Sequence, residues 1–171
     1  MNRNIIIGYF INSIRYSWLW LGIWVFYYLR FTDYVGIGLI ETVLIITRTV
    51  MEIPTGALAD LLGKKHIITI ALFLDVVMNL LMGNAQNLNH LLLAVFIGVT
   101  GGAMYSGTFE ALIYDSLKQI KETSRFSKIL SNIRTFQLLS IGISGIVGGV
   151  LYSINPRLPF LVLAGLEFVG F

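Results

Sequence analysis

The sequence predicts an all-α membrane protein with six transmembrane segments, the sixth of them incomplete. Hydrophobic residues make up 56% of the 171 residues and charged residues only 12%, about half the charged share of a soluble domain. Because a soluble core of this size cannot bury so much apolar surface, the composition excludes a disordered chain, a collagen and an ordinary cytosolic enzyme. The chain has no Cys and two His, so no catalytic residue, metal site or cofactor is predicted.

Six apolar segments alternate with short polar loops. Each full segment approaches the roughly 20 residues that a helix needs to cross a bilayer core. In hydrocarbon every backbone N–H and C=O must be paired within the protein, which favours helices, and the lack of a period-two alternation argues against a β-barrel. The predicted segments cover residues 5–29, 34–58, 67–83, 91–114, 133–153 and 158–171.

The first segment is too long for the apolar part of a signal peptide, and no small-x-small cleavage site follows it. Its outer part is rich in aromatic side chains, some of which are expected to form a belt at the membrane surface. These aromatic residues are Trp18, Trp20, Trp24, Tyr27 and Tyr28.

The positions of Lys and Arg predict that the N-terminus is cytoplasmic. With that orientation only Arg30 and Arg157 lie in outer loops, and positive charge concentrates on the inner side, as is usual in membrane proteins. The inner residues are Arg3, Lys64, Lys65, Lys118, Lys121, Arg125, Lys128 and Arg134. Residues 118–134 also carry apolar residues at roughly helical spacing, so this stretch is either an amphipathic helix on the inner membrane surface or a solvated basic linker.

Several charged residues fall inside the predicted segments, where each costs at least about 2.5–3.5 kcal/mol unless it is paired or hydrated. The candidates for substrate binding or proton coupling are Arg15, Glu41, Arg48, Glu52 and Glu110. The alternative is that these groups only neutralise one another as internal ion pairs, an interpretation favoured more strongly for Asp75 and Glu167.

The second segment carries a polar stripe. Glu41, Arg48 and Glu52 are spaced by seven and four residues, so at about 100° per residue they share one helix face. That face is predicted to point into the bundle, and Glu52 is the nearest acid that could compensate Arg48 on it.

Small residues predict close helix packing in the fourth and fifth segments. Two G-x-x-x-G patterns occur, and such residues let helix backbones approach each other in a membrane. The patterns run from Gly98 to Gly102 and from Gly145 to Gly149, and Gly148 is a further candidate for helix packing.

The loop between the second and third segments carries the most specific pattern. Residues 54–65 read Pro-Thr-Gly-Ala-Leu-Ala-Asp-Leu-Leu-Gly-Lys-Lys. This resembles the major facilitator superfamily signature G-x-L-A-D-x-x-G-[RK]-[RK], and it falls on the inner side that the charges predict independently. The stretches Glu52–Gly56 and Glu110–Asp115 are similar to those of bacterial efflux-type members. The resemblance covers the whole chain as the N-terminal half of such a protein.

The resemblance implies a six-helix half bundle made of two three-helix inverted repeats, with residues 1–171 as the N-terminal transmembrane domain and the C-terminal half absent. It implies a multi-pass protein of the cell (inner) membrane that exports small molecules or drugs by alternating access, with the lipid bilayer, a small-molecule substrate and its own C-terminal half as partners and with protons as a possible coupling ion. No nucleic-acid partner is expected. Signature residues implied to act as a conformational latch are Gly56, Asp60, Gly63, Lys64, Lys65 and Asp115.

Two features depart from the family pattern. The fourth segment lacks the family's Arg motif, and the antiporter motif of the fifth segment lacks its Pro. Two other interpretations therefore stay open, namely a polytopic scaffold or channel subunit without transport activity and an inactive truncated product.

Overall fold

A computed structural model describes residues 3–170, and no β-strand occurs among them. The all-α prediction is therefore confirmed over that range. The helices are α1 (Arg3–Arg15), α2 (Trp24–Tyr28), α3 (Tyr34–Leu62), α4 (Lys64–Gly83), α5 (Leu88–Tyr105), α6 (Thr108–Gln119), α7 (Phe126–Ile154) and α8 (Leu158–Gly170), with a 3₁₀ turn at Thr123–Arg125.

Four helical stretches are long and apolar enough to cross a bilayer. They are α3, α4, the pair α5–α6, and α7 with its preceding 3₁₀ turn, while α1 and α8 are shorter apolar helices. Helix α4 lies centrally and packs against α5 and α8, and α3 packs against α5. Helices α3 and α7 instead expose large apolar side chains such as Val35, Ile53 and Ile146, as suits surfaces that face lipid or another apolar body.

The first predicted segment is not one continuous helix. Helix α1 ends at Arg15, and residues 16–23 form a series of turns before α2; we call them the unwound segment. The hydroxyls of Ser13 and Ser17 donate to carbonyls four residues earlier, at 2.8 and 2.9 Å, a pattern that bends helices. Gly148 of α7 packs directly against the backbone at Leu19. A Cβ built on that glycine would lie 1.7 Å from the Leu19 carbonyl oxygen, so no larger residue fits there without movement.

The fourth predicted segment is also divided. Helix α5 ends at Tyr105 and α6 starts at Thr108, because Gly107 between them has a φ of +68°, a conformation that glycine adopts without strain. A second glycine, Gly63, has a φ of +89° and makes the short turn from α3 into α4.

The basic stretch 118–134 is not a single amphipathic helix. Helix α6 ends at Gln119, the chain turns at Lys121 with a φ of +58°, and α7 begins at Phe126. Helix α7 therefore starts seven residues before the predicted segment at 133, and the basic residues are divided between two helices and their linker.

Close packing occurs at only some of the predicted glycines. A Cβ on Gly98 would lie 2.6 Å from Cγ of Met78, and one on Gly148 would overlap Leu19. By contrast Gly145 and Gly149, predicted as a packing pair, have nothing within 4 Å of such a Cβ. Gly102 faces Arg15, with 3.7 Å between the built Cβ and the guanidinium.

Candidate functional site

A cavity of about 480 Å³ lies between α1, the unwound segment, α3, α4 and α5. Its lining is mostly apolar and aromatic, with a few charged side chains, which is the usual make-up of a small-molecule site. The charged residues of the lining come from α1, α3 and α4, and the aromatic residues come from the unwound segment, α2 and α8.

The charged wall comes from α3. Glu41, Arg48 and Glu52 all line the cavity. Arg48 Nε lies 3.5 Å from Glu52 Oε1, and the two side chains are 66% and 56% exposed. Such a hydrated pair contributes at most about 1 kcal/mol to stability. Glu41 has no ion-pair partner within the part of the chain that the structure describes, so its carboxylate is available to a cation in the cavity.

The aromatic wall comes from the unwound segment and α2. Trp18 and Trp20 stack with ring centroids 5.5 Å apart and planes at 23°, and Tyr16 lies 5.2 Å from Trp18. Trp24 and Tyr28 line the same space. The break in the first segment turns these side chains towards the cavity, and their expected belt at the membrane surface stays a prediction.

Tyr27 is fully buried and donates to the carbonyl of Met82. It is the aromatic residue of the first segment that holds α2 against α4.

A buried ion pair forms part of the cavity wall. Arg15 Nε lies 2.7 Å from Asp75 Oδ2, and both side chains are at most 10% exposed. The guanidinium carbon lies 4.3 Å from the ring centroid of Tyr105 and 5.4 Å from that of Tyr16. Two aromatic rings therefore lie against the guanidinium of Arg15. Arg15 was predicted to take part in binding or coupling, and its direct partner is Asp75.

Behind this pair lies Glu167 of α8, which is 3% exposed. The amide nitrogen of Asn79 donates to Glu167 Oε2 at 2.9 Å and to the backbone carbonyl of Asp75 at 3.1 Å. Asp75 and Asn79 are four residues apart on α4 and could be paired from the sequence. The sequence carries no signal that places Glu167 of α8 beside them.

The signature loop places two of its charged residues in contact. Lys64 forms an ion pair with Asp115, which joins the start of α4 to α6. The side chain of Asp60 is exposed and makes no hydrogen bond or ion pair among residues 3–170. Gly56 and Lys65 are exposed. The latch role of this group stays a prediction.

Glu110 lies outside the main cavity. Its carboxylate accepts from Arg134 at 2.9 Å, joining α6 to α7. The pair borders a second, smaller cavity of about 80 Å³. There Tyr105 donates to Asn12 at 3.2 Å, and Asn12 donates to Gln137 at 3.3 Å. Glu110 is thus a link between helices and not a neighbour of the α3 acids.

The family model of the Major Facilitator Superfamily matches residues 5–171. The chain belongs to the Major Facilitator Superfamily. Membership in this superfamily of membrane transporters argues against an enzyme. It also accounts for the signature at the α3–α4 turn.

Two curated relatives illustrate the similarity. The chain is 28% identical to the uncharacterized MFS-type transporter YxaM of Bacillus subtilis (strain 168) over 142 residues, which are 82% of this chain and 35% of that protein. It is also 28% identical to the quinolone resistance protein NorA of Staphylococcus aureus (strain Mu50 / ATCC 700699) over 174 residues, which cover 100% of this chain and 44% of NorA. The chain therefore spans less than half the length of these superfamily members.

Proposed function

We propose that the chain is the N-terminal half of a secondary transporter that exports small amphipathic or cationic molecules by alternating access. The observation that carries this proposal is the cavity of about 480 Å³ with stacked Trp18 and Trp20 on one wall and Glu41 on another. Aromatic faces and a carboxylate together attract a flat organic cation. Similarity to NorA, a protein named for quinolone resistance, supports the direction of transport.

A C-terminal half is part of this proposal. The matched regions are 35% of YxaM and 44% of NorA, which is what one half of such a protein would give. The coding sequence beyond residue 171 tests this directly. Six further apolar segments would agree with the proposal, whereas a stop codon at that position would contradict it and favour a half-size protein.

The Arg48–Glu52 pair provides the test of the transport site. Because both side chains are more than half exposed, replacing both by Leu in the complete protein leaves no buried charge unpaired and should preserve folding. We expect efflux of ethidium, a flat aromatic cation, to fall about tenfold or more, a loss of about 1.4 kcal/mol in transition-state stabilisation. Efflux is measured from loaded cells, with expression compared by immunoblot.

The matched control is the Glu122–Arg125 pair, which is also exposed, with 2.6 Å between its atoms, but lies in the α6–α7 linker. Replacing both of these residues by Leu should leave efflux unchanged. Full efflux in the Arg48→Leu, Glu52→Leu variant would show that the pair is not part of the transport site. Absence of ethidium efflux from the unmodified complete protein would instead favour the scaffold or channel alternative.

We also propose a cytoplasmic N-terminus, on the basis of the inner excess of Lys and Arg. The chain has no Cys, so a single Cys can report the side of the membrane. A Cys at exposed Asn87 should react with an impermeant maleimide added outside intact cells, and one at exposed Lys121 should react only after lysis. The opposite labelling pattern would reverse the orientation.

A further inference from the structure

Two carboxylic side chains are buried behind the cavity wall with a single arginine to neutralise them. Asp75 is 5% exposed and Glu167 is 3% exposed. Asp75 contacts Arg15 directly, whereas Glu167 is hydrogen-bonded to the neutral amide of Asn79. Asp75 and Arg15 line the cavity, and Glu167 does not. The cluster therefore extends from the cavity into the protein interior.

The charge balance of the cluster depends on one proton. Around Glu167, α1 contributes Arg15 and α4 contributes Asp75 and Asn79. Helix α7 also contacts α8, and its ionisable side chains are Lys128, Arg134 and Tyr152. The rings of Tyr16 and Tyr105 face the Arg15 guanidinium. With both acids ionised the cluster has a charge of −1, and with Glu167 protonated it is neutral. Burial strongly favours the neutral arrangement.

The hydrogen bonding of Asn79 fits a protonated Glu167. Asn79 is fully buried, and its amide nitrogen donates to Glu167 Oε2. Its side-chain oxygen has no hydrogen-bond partner within the described residues. A carboxylate cannot donate to that oxygen, but a carboxylic acid can, because it offers one acceptor and one O–H donor. An amide and a carboxylic acid side by side can thus satisfy each other completely.

The geometry points to Glu167, coupled to Asp75 through Arg15, as a proton-binding site that is separate from the acids of the α3 wall. This inference rests on the proposed function, and it specifies the coupling ion and the residue that carries it. When the Glu167 O–H bond breaks and its proton passes to water, the carboxylate that remains attracts the Arg15 guanidinium. Asp75 at the cavity wall is then less fully neutralised and can attract an organic cation. Proton and cation binding therefore oppose each other, as antiport requires.

The first test uses the complete protein in proteoliposomes with ethidium as the probe. Glu167→Gln keeps the shape and the Asn79 contact and imitates the protonated side chain. We expect accumulation driven by a pH gradient to fall about tenfold or more, a loss of coupling within the range usual for linked sites. Exchange of internal for external ethidium without a gradient should persist with a lower apparent affinity, because Asp75 stays neutralised by Arg15 in this variant. Glu122→Gln, in an exposed ion pair of the linker, is the matched control and should keep both activities.

The second test needs no transport. Potentiometric titration of the purified complete protein across the neutral pH range should show one fewer exchangeable proton per molecule in Glu167→Gln than in the unmodified protein. If this difference is found but no ethidium moves, the proton site stands and the proposed function fails. Identical titrations, or gradient-driven accumulation unchanged by Glu167→Gln, would overturn the inference.

A second variant tests the proposal independently if Glu167→Gln does not fold. Asp75→Asn leaves one acid for one arginine, so Glu167 should remain ionised as the counter-ion of Arg15 and the exchangeable proton should again be missing from the titration. An unchanged proton count in folded Asp75→Asn protein would also contradict the proposal.

Discussion

Replacement of Arg15 by Leu is expected to be the most damaging single change in this chain. The guanidinium lies 2.7 Å from Asp75 and is enclosed by α1, α4 and the ring of Tyr105. Its removal leaves the Asp75 carboxylate buried beside Glu167 without a counter-ion. Breaking a buried ion pair in this way costs about 3–5 kcal/mol, a large part of the about 5–15 kcal/mol by which most domains are stable.

The measurement is the yield of monodisperse protein in detergent, together with the midpoint of thermal unfolding. Arg15→Lys keeps the charge but not the planar fork, so an intermediate yield is expected. Combining Arg15→Leu with Asp75→Leu removes both charges and should restore much of the yield, because paired removal of buried ions is often nearly neutral. A single Arg15→Leu variant as stable as the parent would mean that the pair is solvated.

Replacement of Gly148 by Ala is expected to have the second largest effect. A Cβ there would lie 1.7 Å from the Leu19 carbonyl oxygen and 3.0 Å from its Cα, so α7 and the unwound segment must move apart. Forced separation of packed elements costs about 1–3 kcal/mol or more. We expect a lower unfolding midpoint and, because the unwound segment carries Trp18 and Trp20, a change in tryptophan fluorescence.

Gly149 supplies the control for this experiment. It neighbours Gly148 on α7 but has nothing within 4 Å of an added Cβ. Gly149→Ala should therefore be neutral or slightly stabilising, since Ala is favoured over Gly inside a helix by about 0.5–1 kcal/mol. Equal unfolding midpoints for the two variants would contradict the close contact between α7 and Leu19.

Local sequence patterns predicted those features that depend on one segment at a time. Hydropathy located the apolar stretches because the cost of exposing polar backbone in lipid acts on each stretch independently. The 3.6-residue period put Glu41, Arg48 and Glu52 on one face because all three lie on the uninterrupted helix α3.

Features that depend on two distant segments were not predictable in the same way. Arg15 and Asp75 are 60 residues apart, and no pattern within either segment predicts that these two residues pair. The break after α1 lies in contact with Gly148 of α7 and has no proline to mark it. Of the adjacent glycines Gly148 and Gly149 on α7, tertiary packing alone decides that Gly148 is in contact and Gly149 is not.

The unwound segment also determines the order in which the protein can assemble during synthesis. Helix α1 has 13 residues, about 20 Å in length, which is shorter than a hydrocarbon core of about 30 Å. Until α7 has been made, Gly148 is not there to cover the backbone at Leu19, and each peptide group of residues 16–23 that stays unpaired in lipid costs several kcal/mol. We therefore expect the first segment to enter the bilayer as a full helix and to uncoil when α7 arrives. A nascent chain stopped before α7 should accordingly show slow amide exchange at residues 16–23, and rapid exchange there would refute this order of events.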